Sequence, residues 1–140
     1  MFETILLAAD GSEHALHAAR VAANLAKAMN SQTLWVVVAY GPIPTFLGEP
    51  NLQEAISARL KESEQILQQA VEAMEPVTSD VQTELLEGDA AESIIEVAST
   101  RDCDVIVMGA RGLGRLTGLL LGSTSQKVVA HAPCPVLIVK

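Results

Sequence analysis

The sequence predicts an α/β fold: a three-layer sandwich in which a five-stranded parallel sheet carries helices on both faces. Apolar runs alternate along the whole chain with segments of helical period. The runs are apolar at successive positions rather than at every second one, as in strands covered on both sides. The inward face of the first helical segment is mostly alanine, which lets a helix lie close to a sheet. With no repeat, low-complexity tract or internal linker, residues 1–140 read as a single domain.

The first run, Phe2 to Ala9, ends at Asp10-Gly11-Ser12, where Ser12 is placed to cap a helix reaching about Met29. Thr33 to Ala39 is the second strand, and Gly41-Pro42-Ile43-Pro44 opens a loop to about Pro50. From Leu52 to Met74, Leu52, Ile56, Leu60, Ile66, Leu67, Ala70, Val71 and Met74 recur at helical spacing opposite Glu, Gln and Lys. Glu75-Pro76 stops that helix, and Val81 to Leu86 forms a shorter third strand closed by Glu87-Gly88. Asp89 and Glu92 make a helix-start box ahead of Ile94, Ile95 and Val97. Asp104 to Met108 is the fourth strand and runs directly into Gly109. Ser123 and Gln126 make a second such box for a helix ending near His131; Pro133 and Pro135 then introduce the fifth strand, Val136 to Val139.

Composition narrows the function. With 49% apolar and 19% charged residues the chain is globular rather than disordered. Only one Trp, one Tyr and two Phe are present, too few for a base-stacking surface. A net charge of −8 disfavours nucleic acid and anionic membrane as partners. No apolar run approaches the roughly 18 residues of a membrane span, and the acidic N-terminus lacks the basic start of a signal peptide. Cys103 and Cys134 are not in a C-x-x-C pairing and read as buried free thiols, which suits a cytoplasmic location.

Charge is segregated along the chain. Residues 105–140 hold Arg111, Arg115, Lys127 and Lys140 and no acid, whereas the first 104 residues carry the other five bases and all 17 acids. Within the cationic part stand Gly109-Ala110-Arg111-Gly112 and, after nine intervening residues, Gly122-Ser123. Gly109 and Gly112 permit positive backbone angles and carry no Cβ to hold a phosphate away from the amides. Gly122-Ser123 opens the last helix, whose dipole favours an anion by roughly 0.3–1 kcal/mol. Three structural readings stand beside this one: the glycines as a plain strand-to-helix turn, Ser123 as a plain helix cap, and Arg111 and Arg115 as ordinary solvated arginines. Ligands of open parallel sheets bind beyond the carboxyl ends of the strands where strand order reverses, and an order 3-2-1-4-5 would bring Asp10 and the glycine loop to one crevice. Asp10 is also read as a cap of the first helix.

Other chemistries lack their residues. There is no Gly-Lys-Ser/Thr, and Thr117 stands where a dinucleotide fingerprint needs its third glycine. His14 and His17 lie one helical turn apart without a third metal ligand. Ser12, Ser123 and Ser125 have no local His and Asp partners. An adenylating enzyme would carry Ser-Gly-Gly-x-Asp-Ser after the first strand, where this chain has Ala8-Ala9-Asp10-Gly11-Ser12. A phospho-receiver would need paired acids there. No catalytic residue is assigned, because no candidate base or water-positioning residue is evident, so any turnover of a bound ligand is expected to be slow.

The pattern of Gly, two residues, Gly, nine residues, Gly, Ser is met without a gap by Gly109, Gly112, Gly122 and Ser123. It resembles the ATP-binding branch of the universal stress protein family. The likeness extends to Ile5–Ser12 and to His131–Val139, so it spans the chain; the 41–50 loop matches least, and Ala8 stands where many relatives have Pro. The resemblance implies the order 3-2-1-4-5, a homodimer, and ATP (with ADP or AMP as alternatives), together with Mg, as the ligand. By position it implies Gly109, Arg111, Gly112, Gly122, Ser123, Thr124 and Ser125 around the phosphates. Asp10, with Ala8 and Ala9 behind it, would lie by the ribose or metal, Val38 would meet adenine through its backbone, and Met108 would line the adenosine side. It also implies a nucleotide-dependent stress-response role with an unidentified regulatory protein partner. Independently, Val136 to Val139 would be an apolar edge strand with no Lys or Pro until Lys140, which invites pairing with a second copy.

Overall fold

The computed structural model describes residues 1–112 and 121–140. Its elements run β1 (Thr4–Ala8), α1 (Glu13–Met29), β2 (Thr33–Tyr40), a 3-10 turn (Thr45–Leu47), α2 (Asn51–Met74), β3 (Asp80–Glu87), α3 (Ala90–Thr100), β4 (Val105–Gly109), α4 (Ser123–His131) and β5 (Val136–Val139). The five strands form one parallel sheet of order β3-β2-β1-β4-β5, the order that the family resemblance implies. β3 is longer than its apolar run because it pairs with β2 at every position from Asp80 to Glu87. No helix among the described residues is long and apolar enough to cross a membrane.

Side chains alternate between two packed layers. Ile5, Leu7 and Ala9 of β1, Leu34, Val36 and Val38 of β2, and Val105 and Val107 of β4 pack with α1 and α2. Leu6, Ala8, Val37, Ile106 and Met108 point the other way, toward α3 and α4. α1 meets the first layer through Ala15, Ala18, Ala19, Ala22, Ala23 and Ala26, all buried, so the helix backbone lies close to β4. That closeness shapes the loop that follows β4.

The helix starts differ in a way that bears on function. Ser12 caps α1, its Oγ accepting from Ala15 N at 3.2 Å, and Asp89 caps α3, its Oδ2 accepting from Glu92 N at 3.0 Å. The box expected from Ser123 and Gln126 does not form. Gly122 holds the cap position, because its N–H donates to Ala110 O at 2.7 Å while its carbonyl accepts from Gln126 N at 3.0 Å. Ser123 is therefore the first helical residue, and Gln126 Nε2 donates instead to Leu121 O at 3.0 Å. α4 starts with no side-chain cap.

Candidate functional site

A cavity of about 220 Å³ opens beyond the carboxyl ends of β1, β2 and β4. Ala8, Ala9 and Asp10 form its β1 side, with Ala15 from α1. Val37 and Ala39 of β2 and Ala90 and Ile94 of α3 make an apolar wall, continued by Met108. Facing it are Gly109, Arg111 and Gly112 of the glycine turn and Gly122, Ser123, Thr124 and Ser125 of α4. β1 and β4 are neighbours, so the two loops singled out in the sequence do flank one crevice where strand order reverses.

Eleven residues expected at a ligand line this cavity: Ala8, Ala9, Asp10, Met108, Gly109, Arg111, Gly112, Gly122, Ser123, Thr124 and Ser125. Val38, expected to meet a base through its backbone, buries its side chain in the α1–α2 layer, and its neighbours Val37 and Ala39 line the cavity. Arg115 lies outside the described residues. Val37, Ala39, Ala90, Ile94 and Ala15 were missed. For Val37 a signal existed: it pairs with Ala8, and paired residues of parallel strands share a face.

The described ends of this loop are held by hydrogen bonds. Ala110 N donates to Val139 O at 2.7 Å, anchoring the turn to β5. Ser125 Oγ, buried, lies 2.8 Å from Ala110 O and 3.0 Å from Gly122 O and shares its one proton between them. That hydroxyl thus shapes the loop and presents no proton to a ligand. Ser12 Oγ reaches Arg111 O at 3.4 Å, and Asp10 Oδ1 accepts from Ser12 N at 2.9 Å. The N–H groups of Ser123, Thr124 and Ser125 have no acceptor within the helix, since the first intrahelical bond is that of Gln126. They stand at the cavity wall as a ready set of donors with the helix dipole behind them.

The glycines act through close approach, which corrects the expectation of positive backbone angles. Positive φ occurs at Gly11, Gly48 and Gly88, and at none of Gly109, Gly112 or Gly122. A Cβ on Gly109 would fall 2.8 Å from His14 Cβ and 2.9 Å from Ala15 N and His14 C. This glycine exists because α1 lies so near β4, and its missing side chain leaves room for the helix rather than for a phosphate. A Cβ on Gly112 would fall 2.6 Å from Asp10 Oδ2, so the space is already taken by a carboxylate at the cavity rim. Gly122 is less constrained, with contacts of 3.5 Å and beyond.

His17 Nδ1 lies 2.6 Å from Lys140 O rather than beside a metal partner, and no group of three or more His, Cys, Asp or Glu suited to a metal occurs among the described residues. An apolar wall opposite a bare helix start and a cationic turn suits an elongated ligand with an apolar ring at one end and an anion at the other.

The universal stress protein family model matches residues 1–140. The chain belongs to that family. A universal stress protein of Thermus aquaticus is 49% identical over 140 residues, covering 100% of both chains. Among solved structures, the universal stress protein UspA from Lactobacillus plantarum aligns with a TM-score of 0.87 at 26% identity, covering 99% of this chain and 98% of that one. A universal stress protein solved in complex with cAMP aligns with a TM-score of 0.75 at 25% identity, covering 99% and 97%. The glycine turn and the start of α4, both singled out in the sequence, are elements that wall the cavity.

Proposed function

We propose that this universal stress protein binds an adenine nucleotide, ATP with Mg, in the cavity beyond β1, β2 and β4, and that it works in the cytoplasm as a nucleotide-dependent regulatory homodimer. The single observation that carries the reading is the uncapped start of α4 facing a cavity whose other wall is apolar. Ser123, Thr124 and Ser125 offer backbone N–H groups to the phosphates, and the dipole of α4 adds roughly 0.3–1 kcal/mol, more where the site is buried. Arg111 adds cationic charge. Val37, Ala39, Ile94 and Met108 take the base between them. Bound Mg would be held by the phosphates and by Asp10 Oδ2, the carboxylate oxygen not committed to Ser12, in keeping with the ion's habit of using one or two carboxylates beside phosphate oxygens. The cAMP-bound relative supports an adenine ligand in this fold.

The dimer reading rests on the two sheet edges. β3 carries Asp80, Glu84 and Glu87, charges that guard an edge, whereas β5 has none and leaves Leu137 39% exposed. Pairing of β5 with its copy would cover that edge.

Release of nucleotide from heat-denatured purified chain tests the reading, together with a melting series against ATP, ADP and AMP with Mg. A co-purified adenine nucleotide is expected, with a rise in Tm on adding ATP that reflects about 2.7 kcal/mol at a hundredfold excess over Kd. An empty preparation that shows no shift at millimolar ATP overturns it.

A further inference from the structure

The two cysteines stand at the end of the sheet opposite the cavity. Cys103 comes two residues before β4 and Cys134 two residues before β5, and β4 and β5 are parallel neighbours. Ile106 pairs with Val136, and Ile106 N donates to Pro135 O at 3.0 Å, so the chains remain side by side below the first pair. Carried down two residues, that register sets Cys134 beside Asp104, one step from Cys103. With strands about 4.8 Å apart and a rise of about 3.3 Å per residue, the two Cα atoms lie about 6 Å apart. Disulfides span Cα separations of about 4.4–6.8 Å. Both side chains face the same layer: Cys103 is buried in the α3–α4 core, and Cys134 packs against that core while partly exposed.

Both groups are thiols at neutral pH. Burial, followed by the nearby charge of Cys134, pushes the Cys103 thiol up to about 12. Burial and Asp104 raise Cys134 as well, with the Ile106 backbone N–H working in the opposite direction. Cys134 is the point of entry because a reagent can reach it.

We propose that Cys134 and Cys103 form a modification site, a reversible intramolecular disulfide made by exchange with a low-molecular-weight disulfide of the glutathione class. The Cys134 thiolate attacks one sulfur of the reagent, whose S–S bond breaks, and one small thiol departs with the proton that Cys134 gave up. Cys103 then loses its proton and attacks Cys134 Sγ, and the second small thiol leaves with that proton. The protein dithiol is oxidised by two electrons, and the small disulfide is reduced to two thiols. The new bond latches the short edge strand β5 to β4 and closes a ring, residues 103 to 134, that contains the glycine turn and α4.

The test treats the native full-length chain with excess oxidised glutathione, quenches with acid, and reads intact mass, alkylation and Tm. The wild type is expected to lose two hydrogens in mass, to resist alkylation at both cysteines, and to melt roughly 5–15 °C higher until dithiothreitol reverses the change. Cys103→Ser is expected to stop at a glutathione adduct on Cys134, and Cys134→Ser to remain unmodified. Stable adducts on the wild type, covalent dimers, reaction only in denaturant, or an oxidised form with unchanged or lowered Tm would each overturn the proposal.

Discussion

Replacing Gly112 by Ala sets a methyl group 2.6 Å from Asp10 Oδ2, where ordinary contact begins near 3.4 Å. The backbone itself accepts alanine, because Gly112 does not have a positive φ. Relief must therefore come from Asp10, and moving its carboxylate strains or breaks the bond from Ser12 N to its Oδ1, 2.9 Å long. A hydrogen bond to a charged group contributes about 1.5–3 kcal/mol. Alanine returns about 0.4–1 kcal/mol by restricting the unfolded chain. The net expectation for Gly112→Ala alone is a loss of about 1–2 kcal/mol. In an Asp10→Ala background the obstacle is absent, and the same change should be neutral or stabilising by about 0.4–1 kcal/mol. The sign reversal amounts to a coupling of about 1.5–3 kcal/mol, well above the error of a double-mutant cycle. Urea denaturation of the four proteins without nucleotide measures it. Equal losses from Gly112→Ala in both backgrounds would show that the carboxylate is not what the glycine makes room for.

Gly109→Ala meets α1 backbone rather than a side-chain tip, so it should destabilise by about 1–3 kcal/mol in any Asp10 background, again by urea midpoint. Ser125→Ala removes the hydroxyl that bridges Ala110 O and Gly122 O and should lower stability by about 1–3 kcal/mol, with faster amide exchange at Gly122; an unchanged exchange rate there would contradict the bridging role. The Cys103 thiol, raised from an ordinary 9.0 to about 12 by burial, gives a pH dependence of known sign. Above about pH 9 the unfolded chain releases this proton while the folded chain keeps it, so the unfolded state binds fewer protons and stability falls through about pH 12. The slope is at most about 1.4 kcal/mol per pH unit. Cys103→Ala should show a shallower decline than wild type between pH 9 and 10.5, and identical slopes would refute the assignment.

Local chemistry was legible without a structure wherever a residue and its partner are close in sequence. Ser12 reads as a cap because the amide it satisfies is three residues away, and Asp89 likewise. The Ser123 box failed for the opposite reason: Gly122 is held by Ala110, and that contact spans a loop whose path no local pattern encodes. Val38 and Val37 are alike as residues, and alternation says only that they face opposite ways. Which of them meets the cavity depends on which layer each helix joins, and that is a choice of topology.

The amino-acid order by itself determined the alternation of strands and helices, the burial of the sheet on both faces, and the glycine-serine pattern in an acid-free segment, because periodicity and steric freedom are properties of neighbouring residues. Only the tertiary structure decided what the glycines are for. Gly109 yields to a helix that begins after the four residues that follow β1, and Gly112 yields to a carboxylate about a hundred positions earlier. A missing Cβ is a statement about what lies opposite it, and packing brings that neighbour from another part of the chain.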